Sequence, residues 1–137
     1  MKKLLCVLLI AALLCPVLTA SAAEIQPYAS SYFMSYGVVI ARTGEGKLVI
    51  SFTVVGKEKS DVIGVSNYRI QKKVDGVWTY VTSSLPGSLA YDAYNHAFSK
   101  NYTGTAGEQY RVYCQFVCVN SAGTGTQTLY SSSITAN

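Results

Sequence analysis

The segment from Tyr110 to Asn120 is the part of the sequence that most constrains the fold. Its side chains alternate in character, with polar Arg111 and Gln115 falling between apolar positions. A period of two is what a strand with one buried face requires, because successive side chains point to opposite sides of a sheet. Glycine-containing turns at 104–107 and 121–125 bound the segment. The pattern predicts a strand of an antiparallel β-sandwich, in which the buried structural residues include Tyr110, Cys114, Phe116 and Cys118.

Residues 1–23 have the features of an export signal. Lys2 and Lys3 precede an apolar run, and Ala20-Ser21-Ala22 supplies the small-x-small pattern that signal peptidase cleaves. The apolar run is shorter than a membrane span requires. We therefore expect a secreted, extracellular protein, released or held at the cell surface, with no membrane span after cleavage.

The remaining 114 residues have the length of one domain. We expect a mobile leader over 24–31 and a single β-domain over 32–137. Of the 11 Lys and Arg, all but Lys2 and Lys3 remain, against 7 Asp and Glu, which leaves a net charge of about +2. A charge this small and scattered argues against nucleic acid as a partner.

The same region shows no helical periodicity. Short β-rich runs are instead separated by Gly, Asn, Asp and Ser at intervals of about ten residues, which is typical of sandwiches. About seven strands are expected, with a polar loop at 56–61 and an irregular segment at 84–91. The expected strands cover 32–42, 47–55, 63–74, 77–83, 95–102, 110–120 and 127–135.

Several segments resemble known families. Tyr110-x-Val-x-Cys-x-Phe-x-Cys-x-Asn120, followed by Ala122-Gly123, resembles the F–G hairpin of fibronectin type III domains, with Tyr110 in the place of a tyrosine corner. The chain is also similar to small secreted Firmicutes proteins of unknown function. The matching pieces are Ser30-Ser31-Tyr32, Ile70-Gln-Lys-Lys-x-Asp-Gly-x-Trp78, Asn95-His96 and Tyr102-x-Gly-Thr-Ala-Gly107-x-x-Tyr110. This resemblance implies a bacterial protein with a signal peptide and one immunoglobulin-like or fibronectin III-like sandwich, and it implies no activity.

The cysteines do not form a disulfide framework. Cys114 and Cys118 lie four residues apart on one predicted strand, so their Cα atoms are about 13 Å apart, and a disulfide needs less than about 7 Å. We expect two reduced, buried thiols. One histidine is too few for a zinc site, and no calcium or phosphate motif is present. The sequence predicts no metal and no cofactor.

Catalysis has little support in the sequence. His96 is the only histidine, and although Asp92 could approach it, a histidine on a strand is more often structural. No Gly-x-Ser-x-Gly elbow presents a serine, and the carboxylates lie beside turns. We expect a protein that is not an enzyme.

Aromatic residues are unusually common, since the chain holds 11 tyrosines and 1 tryptophan. A two-residue turn at Asp75-Gly76 would place Trp78, Tyr80, Arg69, Gln71 and Lys73 on one face of a hairpin. Ile70, Val74, Val77 and Val81 would then face the core. A three-residue turn would shift the register by one and bury Trp78 and Tyr80 instead. The first register predicts an amphipathic binding platform, and the second removes it.

These patterns together predict an exported, non-catalytic binding module that uses exposed aromatic side chains. Its expected partner is a glycan, a cell-wall polymer or a protein, because Tyr and Trp combine a stacking face with a polar group. The alternative is a structural or self-assembling surface protein that adds copies along a sheet edge. A membrane-active or antimicrobial protein is the weaker third possibility, since no cationic amphipathic helix is present.

Overall fold

The computed structural model describes residues 25–27 and 30–137, so the predicted export signal lies outside the described residues. All strand pairs are antiparallel, and the described residues contain no helix. The predicted all-β, antiparallel class is therefore confirmed. The eight strands are β1 (Ile25–Pro27), β2 (Phe33–Gly44), β3 (Lys47–Val74), β4 (Val77–Tyr80), β5 (Leu85–Thr103), β6 (Gln109–Asn120), β7 (Gly123–Tyr130) and β8 (Ile134–Thr135).

One hydrogen-bonded sheet folds over into two packed layers. In the first layer, residues 47–55 of β3 lie between β2 and residues 95–103 of β5. In the second layer, residues 60–72 of β3 lie between β6 and residues 85–93 of β5, while β7 pairs with β6 and β4 with the end of β3. Both β3 and β5 thus pass from one layer to the other.

The point where β3 changes layers lies at the segment predicted as a polar loop. The pairing with β5 skips there, because Val55 lies opposite Asn95 and Ser60 lies opposite Ala93. Residues 57–59 bulge outward and are exposed, whereas the Ser60 hydroxyl is buried and lies 3.1 Å from the Cys118 sulfur. The loop prediction for 56–61 was wrong, since these residues form a bulge inside one continuous strand.

Strand β5 likewise joins the segment predicted as irregular to the strand predicted at 95–102. Asp92, with φ of 51°, lies where the strand bends between layers. Gly87 allows β5 to approach β3 closely, because a Cβ atom at this position would overlap the backbone carbonyl of Val65. Within the segment expected as a leader, Ile25–Pro27 pairs with β2 as β1.

The core lies between the layers and uses the inward face of each strand. The rings of Tyr36 on β2 and Phe116 on β6 meet across the interface, with centroids 5.2 Å apart. The alternation predicted for β6 is confirmed, and Cys114 and Cys118 are buried, free thiols. The buried apolar set is Phe33, Tyr36, Val38, Ile40, Leu48, Ile50, Phe52, Val54, Ile63, Val65, Tyr68, Ile70, Tyr110, Val112, Cys114, Phe116, Cys118 and Ala136.

Tyr110 ties the start of β6 to the turn that precedes it. Its hydroxyl oxygen accepts a hydrogen bond from the backbone N–H of Thr105 at 2.7 Å. Its ring covers Gly104, where a Cβ atom would lie only 2.6 Å from a ring carbon. This is the upstream backbone bond that the tyrosine-corner prediction requires.

Candidate functional site

The β3–β4 hairpin has the two-residue register. Val74 lies opposite Val77, Lys73 opposite Trp78 and Gln71 opposite Tyr80. Both turn residues have positive φ, 49° for Asp75 and 78° for Gly76, as the favoured two-residue hairpin turn requires. Trp78 and Tyr80 therefore share the outer face of the second layer with Arg69, Gln71 and Lys73, as the first of the two registers predicts.

The inner face of this hairpin differs from the prediction. Ile70 is buried, but Val74, Val77 and Val81 are 41%, 64% and 40% exposed. The reason is that β4 pairs only with β3 among the described strands, so no strand of the first layer covers its inner side. The assignment of these three valines to the core was wrong.

Gln71 lies on the outer face and yet is only 5% exposed. Arg111, directly opposite it on β6, covers it and donates a hydrogen bond from Nε to Gln71 Oε1 at 2.7 Å. The Arg111 guanidinium carbon lies 4.5 Å from the ring centroid of Trp78 and 4.3 Å from that of Tyr130. One cation is thus held by aromatic rings from β4 and β7.

A second cation adjoins this arrangement. The guanidinium carbon of Arg69 lies 3.6 Å from the centroid of the Tyr80 ring. Tyr113, opposite Arg69 on β6, packs against Tyr130 with centroids 5.1 Å apart. Desolvation, and next the hydrogen bond with Tyr130, raise the pKa of Tyr80. We call Arg69, Gln71, Lys73, Trp78, Tyr80, Arg111, Tyr113 and Tyr130 the outer cluster.

The outer cluster carries three cations and no carboxylate. The ion pair within the described residues joins Lys47 to Glu45, and neither residue belongs to the outer cluster. No Asp or Glu occupies an outward position of the paired segments of β3, β4, β6 and β7 that form this face. The Nε atom of Arg69 is buried without a hydrogen-bond partner in the described part of the chain. The face therefore holds positive charge that forms no ion pair with any described carboxylate.

Sequence reasoning found five of these residues and missed Arg111, Tyr113 and Tyr130. The alternation in β6 already placed Arg111 and Tyr113 on the outward side. The sequence did not reveal that β6 pairs with β3. This pairing joins residues about 40 positions apart, and such a distant contact leaves no local pattern.

His96 forms a different pair from the one considered in the sequence. Its Nε2 atom lies 2.9 Å from the hydroxyl oxygen of Ser88, and its ring stacks on Phe98. Asp92, at the bend of β5, has an exposed side chain. Within residues 25–27 and 30–137 no three His, Cys, Asp or Glu side chains come together as a metal site.

A scan against protein-family models and a search of curated proteins both return no match. No helix in the described residues is long and apolar enough to cross a membrane. The functional argument therefore rests on the geometry of the outer cluster.

Proposed function

We propose that the chain is a secreted, non-catalytic binding module that recognises an extracellular glycan or cell-wall polymer through the outer cluster. The observation that carries this proposal is the Arg111 guanidinium between Trp78 and Tyr130, with Tyr130 exposed and Trp78 half-buried. Partial exposure is the condition that the platform hypothesis needed, since a buried Trp78 could contact no ligand.

The arrangement suits binding because its side chains are already restrained. Cation–π contacts and the Arg111–Gln71 hydrogen bond fix long side chains that would otherwise lose rotamer freedom on binding. Rings with polar edges on a flat sheet can stack on sugar faces and still form hydrogen bonds. A preorganised surface of this kind binds without a large ordering cost.

We infer that the architecture is immunoglobulin-like or fibronectin III-like. The strand order β2–β3–β5 in one layer and β4–β3–β6–β7 in the other supports this inference. The Tyr110 corner at the start of β6 supports it independently. Loops and sheet faces of such domains are common recognition surfaces, and the proposed face is of this type.

The test is a depletion assay with insoluble polysaccharides, peptidoglycan sacculi and whole cells. Trp78→Ala/Tyr130→Ala should lose the depletion that the unsubstituted protein shows. Tyr91→Ala/Tyr94→Ala is the matched control, because these tyrosines are 68% and 60% exposed but lie outside the outer cluster. Equal loss in both variants, or depletion on no matrix, would contradict the proposal.

Self-assembly is the second candidate, and the free edge of β5 is the observation that favours it. This strand has 19 residues, pairs with β3 alone among the described strands, and exposes Tyr91 and Tyr94. Its features also oppose edge-to-edge pairing, because Asp92 bends the strand and Lys100 lies opposite buried Ile50, on the inner face. We therefore rank assembly below ligand binding.

A further inference from the structure

We propose that the ligand of the outer cluster is an acidic polysaccharide, whose sugar rings carry carboxylate groups. This inference rests on the proposed function and adds the chemical class of the ligand. It follows from three features of the outer cluster, namely its net charge, its unused hydrogen-bond donors and the order of its charges and rings.

The charge is concentrated on one face. Arg69, Lys73 and Arg111 contribute three positive charges to it, and no acidic side chain occupies an outward position on its paired strands. The whole chain, in contrast, has a formal net charge of only +4, including Lys2 and Lys3 of the predicted export signal. Local positive charge that the domain leaves unpaired attracts and orients an anionic partner.

The guanidinium groups still have donors available. Arg111 donates a hydrogen bond from Nε to Gln71, and its guanidinium group contacts the rings of Trp78 and Tyr130. Its Nη atoms form no hydrogen bond within the described residues. Arg69 stacks on Tyr80 and its Nε atom is buried, so the donors that it could offer to a ligand are its Nη atoms, which form no hydrogen bond in that part of the chain. The planar fork of an arginine matches the two oxygens of a carboxylate, so both groups are poised for an external anion.

The charges and rings alternate along the face. Arg111 lies opposite Gln71, and the same-face neighbours of Gln71 are Arg69 and Lys73, so both are diagonal to Arg111, at about 7–8 Å between Cα atoms. Tyr80, Tyr130 and Trp78 lie among these cations. A small anion would leave the rings uncovered, and a neutral glycan would leave the guanidinium donors unpaired. A polymer whose sugar rings each carry a carboxylate would cover the aromatic rings and also pair with the guanidinium donors.

The first experiment measures binding of the purified protein to polygalacturonate and to its fully methyl-esterified form. The single tryptophan of the chain, Trp78, reports binding by its fluorescence. The two polymers have the same sugar ring and differ in the charge of the carboxyl group. We expect affinity for the acid form to exceed that for the ester by about tenfold or more, and to fall with added salt.

Two charge-matched variants locate the site. Arg69→Gln/Arg111→Gln should lose about tenfold or more in affinity for polygalacturonate. Lys57→Gln/Lys59→Gln removes the same charge from the exposed bulge of β3 and should leave the affinity unchanged. Circular dichroism and thermal midpoints of both variants would confirm that each is folded.

Other outcomes separate this inference from the proposed function. Equal binding of acid and ester, or depletion on neutral polysaccharides alone, would overturn the acidic class and leave the glycan-binding function standing. Binding of polyglutamate as tight as that of polygalacturonate would overturn the sugar requirement. Equal loss in the two charge variants would overturn the site. Depletion on no matrix, with no binding to polygalacturonate, would overturn both proposals.

Discussion

The Tyr110 hydroxyl group, through one hydrogen bond, fixes the position of the turn that precedes β6. Tyr110→Phe keeps the ring against Gly104 and removes the acceptor of the Thr105 N–H. We expect the free energy of unfolding to fall by about 1 kcal/mol, the usual contribution of one such hydrogen bond. Urea unfolding measures the change. Tyr91→Phe, at an exposed position, is the control, and an equal effect in the two variants would show that the corner bond contributes nothing specific.

Burial raises the pKa of the Cys114 thiol from its ordinary value of 9.0 to about 12. The unfolded chain releases this proton near pH 9, whereas the folded chain holds it to about pH 12. The stability linked to the proton is therefore fully present below pH 9. It is lost as the pH rises from 9 towards 12, by up to about 1.4 kcal/mol per pH unit.

The comparison with Cys114→Ala isolates this effect, because Tyr68 and Tyr102, the pKa values of which are also raised by burial, are common to both proteins. The unsubstituted protein should be the more stable at pH 8, because the alanine leaves a cavity. The difference in unfolding free energy should narrow at alkaline pH. Parallel pH profiles would show that the thiol ionises alike in the folded and unfolded chains.

At the scale of one element, β5 combines a free edge with a charge that discourages pairing. Lys100 lies on the inner face between Phe98 and Tyr102, and its amine lies 5.9 Å from the ring centroid of Phe98. Lys100→Thr removes this inward charge, and we expect concentration-dependent association through β5. Sedimentation velocity over a wide range of protein concentrations measures it. Lys57→Thr makes the same change on the exposed bulge and should stay as monomeric as the unsubstituted protein.

Elements with a strong local pattern could be predicted from the sequence. Strand β6 followed from its alternation, and Asp75-Gly76 predicted the β3–β4 hairpin but left two registers open, of which the structure has the two-residue one. The continuity of β3 and β5 could not be predicted, because residues 56–61 and 84–91 are rich in turn-forming types. Pairing with distant strands overrides that local preference. The outer cluster divides in the same way, since Trp78 was found through a local hairpin and Tyr130 depends on a distant pairing.

At the scale of the whole molecule, the two thiols report on the opening of the entire core. Cys114 and Cys118 are fully buried between the layers, and no disulfide joins them. We expect alkylation of both thiols at one common rate, governed by global unfolding, and a thermal midpoint that reductant leaves unchanged. Mass spectrometry after timed alkylation measures this. Modification of one thiol well before the other would reveal a local opening instead.

The passage of β3 and β5 through both layers also determines how the domain can respond to a partner. The β3–β5 ladder has pairs in both layers, on either side of the bulge at residues 57–59, so the same two strands hold the layers together. A ligand on the second layer would meet strands that are already hydrogen-bonded to one another before contact. Under the proposed function, recognition would be tuned by exchanging side chains on this shared frame.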